Sequence, residues 1–514
     1  MSAENELPAS WASARLDEVC TINARGFTPF VSGGDQPVAF VPMAAVVEEF
    51  GGIDVSATRP LGEVTKGYTA FVEGDVLFAK ITPCMENGKV AVVPPLSTHI
   101  GFGSTEFHVL RSAGAVEPKW VGYHLSQLQF RRAARQDMTG SAGQLRVQSS
   151  WLAGAGIPVA PIAEQRRVIQ RIDELLSDLD AGVLELVTAK RKLSQYRQSL
   201  LKAAVEGALT AEWRERNPPQ ETGAELLARI LRERRARWEV RQLARFKAQG
   251  KAAPKDWQSK YGDRAAPDAS ELPPVPAAWV YASIGQCFEV SVGATPSRKA
   301  ADYWCGDVPW VSSGEVRFNH ISATRETITE QGLANSSTQI NPAGSVMLGM
   351  IGEGKTRGQV AILDIDAANN QNCAAIWVPE TDVPPEFIYC WLWSRYDETR
   401  RGSSGNNQPA LNKRLVEAMP MPLAPVAEMR EVVERLSVQL TGIEAQEREI
   451  GHLLRLAAAQ RQNILRAAFA GQLVPQDPAD EPASALLARI RAERAQRPAA
   501  AKRMRRSPTQ PATP

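Results

Sequence analysis

The sequence predicts an α+β fold, in which two mixed α/β domains are separated by a pair of long helices packed as an antiparallel coiled coil. Three observations lead to this prediction. The chain repeats itself, because residues 157–169 match 421–433 and residues 197–210 match 461–474 at one constant offset. The repeated blocks carry apolar residues at heptad spacing, and the segments before them consist of short β-like runs. We therefore expect the two halves of the chain to be related by a pseudo-two-fold internal symmetry.

The two domains are predicted from their short apolar runs. VAFVPM, AFVEGDVLFAK, KVAVVPP and FHVLRS occur in the first domain, and VPWVSSGEV, SVMLGMI, QVAILDI and AAIWVP occur in the second. Such runs, separated by glycines, are typical of strands joined by hairpins and polar loops. The domains match each other only faintly, as in GDVLFAKI (74–81) against GSVMLGMI (344–351). We therefore expect one architecture with different loops.

A long helix is predicted after each domain. Prolines end the preceding strand, and Glu164 and Glu428 lie in the first helical turn, where the helix dipole favours an anion. Gly207 and Gly471 are predicted to end the two helices. The helices could be core helices of one bundle or a paired spacer, and their equal length and gapless match favour the spacer. The apolar seam consists of Ile169, Ile172, Leu176, Leu179, Val183 and Leu186, then Val433, Leu436, Leu440, Ile443, Ile450 and Leu454.

Basic segments follow both helices. Residues 225–248 hold eight Arg/Lys against three Glu, and residues 489–506 hold eight against one Glu. Such a run is either a solvated face or a surface that docks an acidic partner or the DNA backbone. Residues 249–274 are predicted to be a linker, and 496–514 a disordered basic tail. The predicted boundaries are 1–156, 157–210, 211–274, 275–420, 421–474 and 475–514.

Composition limits the class of protein. An apolar content of 44% and a charged content of 23% are ordinary for a soluble globular chain. Neither a membrane-length apolar run nor a secretory signal is recognisable in the sequence, and the six scattered cysteines fit reduced thiols, so we expect a cytoplasmic protein. The histidines do not cluster, so no metal site is predicted. A net charge of +2 means that any nucleic-acid interface must come from local features.

Polar loops between the predicted strands supply candidate DNA contacts. Arg, Lys, Asn, Gln, Ser and Thr are the side chains that hydrogen-bond base edges and phosphates. In the first domain the candidates are Lys80, Thr82, Asn87, Lys89, Ser141, Gln144 and Arg146. In the second domain they are Thr295, Ser297, Arg298, Lys299, Ser312, Ser313, Glu315, Lys355, Thr356, Arg357, Ser403, Ser404, Asn406, Asn407 and Gln408.

Two patterns suggest catalysis, but their contexts argue against it. GMIGEGKT at 349–356 fits the phosphate-loop pattern, which requires a helix after the loop. Here TRGQVAILDID follows and predicts a strand, so we interpret the stretch as a hairpin turn. NPPQ at 217–220 resembles an amino-methyltransferase motif, but Gln220 replaces the aromatic residue that stacks on a base. No catalytic residue is predicted in this chain.

The helix entries are specific enough to suggest a family. The chain resembles the specificity (S) subunits of type I restriction-modification enzymes through Pro158, Pro161, Glu164 and Gln165, repeated as Pro422, Pro425 and Glu428. LLKAAVEGALTAEWRERNPP, NILRAAFAGQLV, ALLARIRAER and GATPSRKAADYWCGDVPWVSSGEV are also similar to this family. One departure is Met429, which stands where the first copy has Gln165.

The resemblance implies a non-catalytic DNA-binding subunit. Residues 1–156 and 275–420 would be target-recognition domains, each reading one half of a bipartite target in double-stranded DNA, and the helices would set the spacing. Two modification (methyltransferase) subunits and restriction (motor-nuclease) subunits would be the partners. S-adenosylmethionine, ATP and Mg²⁺ are expected on those partners, and no cofactor is expected in this chain. The alternative is a coiled-coil scaffold that binds proteins without reading DNA.

Overall fold

The computed structural model describes residues 7–24, 34–141, 143–262, 264–270, 272–352, 355–401 and 411–496. The chain forms two compact units. Unit 1 combines Met1–Val187 with Gly451–Pro514, and unit 2 consists of Thr188–Ile450. Each unit therefore contains one variable domain and parts of both long helices.

The first domain is built mainly of short strands. Its strands are β1 (Ala12–Arg15), β2 (Cys20–Ile22), β3 (Pro37–Val41), β4 (Thr58–Pro60), β5 (Thr69–Phe71), β6 (Val76–Ala79), β7 (Val90–Val92), β8 (Gly101–Gly103), β9 (Phe107–Ser112) and β10 (Gly156–Val159). Its helices are α1 (Leu16–Val19), α2 (Leu61–Val64), α3 (Pro118–Ser126), α4 (Leu128–Gln136) and α5 (Ser149–Gly154). The helices α6 (Ile162–Val205), α7 (Ala211–Arg216) and α8 (Gly223–Ala248) follow.

The second domain has a similar composition of elements. Its strands are β11 (Val280–Ser283), β12 (Glu289–Val292), β13 (Trp304–Val311), β14 (Asn319–Ile321), β15 (Glu326–Ile328), β16 (Val346–Gly349), β17 (Val360–Leu363), β18 (Ala368–Asn369), β19 (Cys373–Trp377) and β20 (Pro420–Leu423). Its helices are α9 (Ile284–Cys287), α10 (Glu330–Ala334), α11 (Pro385–Ser394), α12 (Tyr396–Arg401) and α13 (Lys413–Ala418). The chain continues into α14 (Val426–Phe469) and α15 (Ala483–Gln496).

The two domains share one sheet topology. The first has the antiparallel order β2-β9-β6-β7, and the second has β12-β19-β16-β17 with β14 added at the edge. A second sheet contains a parallel pair in each domain, β3 with β8 and β13 with β18. A two-stranded ribbon, β1-β10 or β11-β20, leads into the long helix. The expectation of one architecture with different loops is confirmed.

The long helices α6 and α14 occupy equivalent positions of the repeat, since both have 44 residues. In unit 1, Ile172 of α6 and Leu465 of α14 belong to one buried core. In unit 2, Leu201 of α6 and Leu436 of α14 do the same. The two helices are therefore packed against each other in both units. They run antiparallel as predicted, because Asp180 of α6 pairs with Arg461 of α14, whereas Arg197, further along α6, pairs with Glu447, further back along α14. Arg197 Nη2 lies 2.5 Å from Glu447 Oε2.

Both long helices end at a glycine in the left-handed region. Gly207 has φ +77° and Gly471 has φ +70°. The amide of Ala208 donates to Ala203 O (2.9 Å), and the amide of Gln472 donates to Ala467 O (2.9 Å), which is the six-to-one bond of a Schellman motif. The predicted helix ends at Gly207 and Gly471 are confirmed. Glycine suits these positions because a side chain is disfavoured at this backbone conformation.

The segment after α8 differs from the expected linker. Residues Trp257–Lys260 form a 3₁₀ turn, and the Trp257 ring stacks on Trp238 of α8 with centroids 5.7 Å apart. Aromatic side chains spaced along α8 and the returning segment provide this contact, a signal that composition alone did not reveal. Within the described ranges, no helix is long and apolar enough to cross a membrane.

Candidate nucleic-acid interface

The polar loops of the second domain leave from one edge of its larger sheet. The end of β12 faces the start of β19, and the end of β16 faces the starts of β19 and β17. The start of β14 lies beside the start of β17. The segments after β12, before β19, between β16 and β17, and before β14 therefore share this edge, which we call edge 2. It carries Thr295, Ser297, Arg298, Lys299, Lys355, Thr356 and Arg357.

The loop after β13 joins edge 2 through β18. Val311 pairs with Asn369, the last residue of β18, and the Asn370 amide donates to Val311 O (3.0 Å). Thr295 Oγ1 donates to Gln371 Oε1 (2.7 Å), which connects the β12 loop to the segment after β18. Ser312, Ser313 and Glu315 therefore belong to the same set of loops.

The described residues at both ends of the phosphate-loop pattern belong to a β-hairpin, whereas Glu353 and Gly354 lie outside the described residues. The Gly358 amide donates to Gly349 O (2.8 Å), and the Gly349 amide donates to Gln359 O (2.8 Å). A Cβ on Gly349 would lie 2.4 Å from Thr356 O, so glycine is needed here for the close approach of two backbones. The strand β17 follows Lys355, not a helix. The hairpin prediction is confirmed, since a helix N-terminus able to hold a nucleotide phosphate is missing after this loop.

Several predicted DNA contacts are held by neighbours within the domain. The Arg298 guanidinium binds both carboxylate oxygens of Glu326, with Nη2 at 2.9 Å from Oε2, and lies 3.7 Å from the centre of the Trp304 ring. The Glu315 carboxylate accepts from Ser312 N (2.8 Å), from Ser312 Oγ (2.7 Å) and from the Arg325 amide (2.9 Å). These contacts fix the shapes of their loops.

The remaining cations of edge 2 are available to a ligand. Lys299 and Lys355 are exposed and Arg357 is half-buried, and the side chains of these three make no ion pair or hydrogen bond within the described part of the chain. The Lys355 carbonyl accepts from Tyr396 Oη (2.9 Å), so the hairpin tip is anchored while its ammonium is exposed.

Sequence reasoning missed a neighbouring basic concavity. A surface hollow of about 410 Å³ is lined by Arg317, His320 and Arg325, among others. His320 Nδ1 lies 2.8 Å from Asp364 Oδ1. The only available signal was the position of these residues directly after WVSSGE in the sequence, because β14 is too short to stand out as a strand.

The first domain presents an equivalent edge, which we call edge 1. The end of β2 faces the middle of β9, the start of β9 faces the end of β6, and the end of β6 faces the start of β7. Segment 139–147 joins this edge, because Ile81 bridges to Arg146 and the Val147 amide donates to Lys80 O (2.8 Å). The seven candidates of the first domain are thus brought together on one edge.

Three of these seven residues hold the loops of edge 1 in place. Thr82 Oγ1 donates to Gly143 O (3.2 Å). Asn87 Nδ2 donates to Glu48 Oε1 (2.8 Å). The Lys89 ammonium donates to Met43 O (3.2 Å) and Val46 O (2.9 Å). Their side chains shape the surface that a ligand would meet.

Arg146 forms an ion pair, whereas the Lys80 ammonium has no ion pair or hydrogen bond within the described residues. The Arg146 guanidinium binds Glu106 at 3.0 Å, and this hydrogen bond lowers the pKa of the Glu106 carboxyl. Lys80 lines a polar cavity of about 280 Å³ together with Asn23 and Tyr68. Ser141 and Gln144 are exposed. Edge 1 therefore offers a lysine and two neutral polar side chains.

One family model matches part of this chain. Residues 276–451 match the family model of the type I restriction modification DNA specificity domain. Over part of its length the chain is similar to curated type I restriction enzyme specificity subunits. The EcoEI and EcoAI specificity subunits of Escherichia coli are each 31% identical to it over 271 residues, 45% of this chain. These alignments cover 44% and 45% of the two relatives, so the chain spans less than half of their length.

A solved structure supports the fold. The structure comes from a study of complex assembly and conformational transition of the type I R-M system. The match includes 91% of this chain and 99% of the solved chain, with a TM-score of 0.66. Its sequence identity is 18%, so this likeness concerns the fold alone.

The helix-entry residues Glu164 and Glu428 have a structural role. Glu164 Oε1 accepts from Trp11 Nε1 (3.0 Å) and Gln476 Nε2 (2.6 Å), and burial raises the pKa of the Glu164 carboxyl. Glu428 Oε2 accepts from Trp279 Nε1 (2.8 Å). Its Oε1 accepts from Thr210 Oγ1 and Arg214 Nε, both at 2.8 Å. Sequence analysis assigned both carboxylates to the helix dipole and missed these partners, which lie far away in the chain.

Two buried histidines are also structural. His124 Nε2 donates to Gly156 O (2.9 Å), and burial lowers the pKa of His124 to about 4. His108 Nε2 donates to Val147 O (2.9 Å), and burial lowers its pKa as well. Both rings are neutral near pH 7. Ser403, Ser404, Asn406, Asn407 and Gln408 lie outside the described residues.

Proposed function

We propose that this chain is the sequence-specific DNA-binding subunit of a type I restriction-modification complex. Each target-recognition domain would contact one half of a bipartite duplex target through its sheet edge. The subunit itself would be non-catalytic and would act in the cytoplasm. Two modification subunits with S-adenosylmethionine, and restriction subunits with ATP and Mg²⁺, would supply the chemistry.

The observation that carries this proposal is the repeated sheet edge. Two domains of the same topology gather polar and basic loops at the same strand ends, and the loops differ between the domains. A recognition protein needs this combination, because the scaffold positions the loops while their side chains decide the sequence that is bound. The match to the DNA specificity domain over residues 276–451 supports the same conclusion.

The sorting of side chains on edge 2 supports direct readout. Exposed cations such as Lys299 and Lys355 suit phosphate oxygens, which fix register without carrying sequence information. Serine, threonine, asparagine and glutamine suit base edges in the major groove. The ion pair of Arg298 with Glu326 keeps its loop ordered before DNA arrives, so less ordering entropy is lost on binding.

The long helices are proposed to set the spacing and to dock the modification subunits. A helix of 44 residues is roughly 65 Å long. Its apolar seam is occupied by the other long helix, which makes the pair a stiff element. A stiff connection fixes the separation of half-sites, as dimer geometry does in other DNA-binding proteins.

The test is a domain exchange combined with methylation mapping. Replacing residues 1–156 with the first domain of a different specificity subunit should change one half of the methylated target and leave the other half unchanged. N6-methyladenine is mapped genome-wide in cells that also express the modification subunit. Normal complex assembly with an unchanged methylated sequence would favour the scaffold alternative and refute DNA readout by edge 1.

A single-residue test addresses edge 2. Lys355→Ala should reduce the salt dependence of DNA affinity by about one unit of slope, the value expected for one lost phosphate contact. Arg430→Ala is the matched control, because Arg430 is an exposed arginine on α14 and not on the edge. Equal DNA affinities and slopes for Lys355→Ala and wild type in the assembled complex would remove Lys355 from the interface.

A further inference from the structure

A basic hairpin extends from the second domain. It consists of residues 238–261, the last turns of α8 and the segment that folds back on them. Helix α8 ends near Gly250, where φ is +64°, and the Lys251 amide donates to Phe246 O (3.0 Å). The chain therefore reverses direction at a defined Schellman-type stop.

Aromatic rings hold the basic hairpin together. Trp257 stacks on Trp238 with centroids 5.7 Å apart and contacts Phe246 edge-to-face at 6.1 Å. Tyr261 contacts Trp238 edge-to-face at 5.3 Å. These contacts hold the returning segment, which carries Lys251, Lys255 and Lys260, against α8.

The start of α8 differs, because Arg229 and Arg234 are paired with carboxylates. Arg229 binds Glu221 (2.9 Å) and Asp382 (2.8 Å). Arg234 Nη1 donates to Gln286 O at 2.9 Å. Leu226 and Ile230 are buried in the core of unit 2. This part matches residues 485–495 in the repeat, where α15 packs on the first domain in the same way.

The charge of the basic hairpin, in contrast, is not neutralised. Residues 238–261 hold six Lys/Arg against two Asp/Glu. Within the described chain, Arg241 approaches Glu380 only at 3.6 Å, and the other five cations have no carboxylate within ion-pair distance. Those five are exposed: Arg245, Lys247, Lys251, Lys255 and Lys260. Because the repeat match ends at Arg235, packing on the domain does not require them.

We propose that the basic hairpin binds the phosphate backbone of duplex DNA without reading its sequence. The inference rests on the proposed function and adds a sequence-independent contact near the strand ends opposite edge 2, because Arg241 lies beside Glu380, which follows the end of β19. Several exposed cations on one folded element can contact neighbouring phosphates and release counterions on binding. The near-neutral net charge of +2 makes such a local cluster valuable for holding DNA.

An acidic protein surface is the competing partner. Val240 and Leu243 are 67% and 48% exposed, which is a modest apolar area. Interface cores are rich in aromatic residues and poor in lysine, whereas here the aromatic rings are already packed and lysines form the surface. The composition of the basic hairpin therefore favours phosphate.

The test replaces Lys247, Lys251 and Lys255 with alanine in the full chain assembled with its modification subunits. The log–log salt slope of DNA affinity should fall by about three, and affinity at 0.1 M salt should fall about tenfold or more. The loss should be equal for target and unrelated duplexes. Changing the same lysines to arginine should preserve binding, and Arg232→Ala, an exposed site on the neutralised part of α8, should have no effect.

Unchanged affinity and slope in the triple alanine variant would overturn the inference while leaving the proposed function intact. Loss of subunit assembly with an unchanged slope would assign the hairpin to a protein partner and also overturn it. Absence of DNA binding by the wild-type complex would refute the proposed function and the inference together.

Discussion

Glu428→Gln should destabilise unit 2 by about 3 kcal/mol, whereas Glu164→Gln, at the equivalent position of the repeat, should cost unit 1 less than about 1 kcal/mol. Both carboxylates are almost fully buried and both accept from a tryptophan indole. They differ in how many of their oxygens are used and in the charge of their partners.

The magnitude follows from those partners. Both donors to Glu164 meet Oε1, so a glutamine oxygen can accept them while its amide nitrogen takes the place of Oε2. Glu428 uses Oε2 for Trp279 and Oε1 for Thr210 and Arg214. A glutamine amide there must face at least one donor, which leaves a buried N–H unpaired at about 1–3 kcal/mol. It also removes the countercharge of Arg214, whose partial exposure reduces that contribution to about 1 kcal/mol.

Hydrogen exchange in the full chain is the suitable assay, because it reports local opening in each unit separately. Peptides around Trp279 should exchange roughly a hundredfold faster in Glu428→Gln, since each 1.4 kcal/mol is a factor of about ten. Peptides around Trp11 should change little in Glu164→Gln. Glu434→Gln, an exposed site on α14, is the control. Equal acceleration by both buried substitutions, or none by Glu428→Gln, would refute this hydrogen-bond account.

Three further outcomes are expected. Because the pKa of His124 is lowered to about 4 while its ordinary value is 6.5, the unfolded chain binds the proton first as pH falls. The free energy of unfolding of unit 1 should then fall by about 1.4 kcal/mol between pH 8 and 5.5. In thermal unfolding, a His124→Gln variant with the same pH dependence as the wild type would contradict this. Lys89→Met should cost unit 1 about 2 kcal/mol in the same assay and leave the salt slope of DNA affinity unchanged, because its ammonium serves two carbonyls. Gly442 has open space around it, so Gly442→Ala should stabilise α14 by about 0.5–1 kcal/mol. A Cβ at Gly471 would lie 2.3 Å from Pro8, so Gly471→Ala should destabilise unit 1 by about 2 kcal/mol or more. Equal melting temperatures for the two variants would contradict this.

Local patterns were sufficient to predict most of the architecture. Heptad spacing and glycine stops identified α6 and α14, because helix period and helix ends are local properties. The strand alternation after Lys355 distinguished a hairpin from a phosphate loop for the same reason. The division of each long helix between two units could not be predicted, since a seam indicates that a partner exists and not which segment of it packs where.

The state of individual loop residues depended on distant neighbours. Arg298 and Lys355 look alike in sequence, yet Arg298 is bound by Glu326 while Lys355 is exposed. The two carbonyls that bind the Lys89 ammonium are more than 40 residues away. The candidate loops could therefore be grouped by their polar residues, whereas tertiary contacts that the sequence does not show decide which of their side chains remain free.

The composition of unit 1 has a consequence for synthesis. Trp120 packs against Phe469 with ring centroids 4.6 Å apart. The core of unit 1 therefore stays incomplete until a residue about 350 positions after Trp120 has been translated. Unit 2 lies between these segments and can close once Ile450 has left the ribosome. The domain that emerges first is thus the last to be completed, and its apolar surface must be kept from aggregating throughout most of translation.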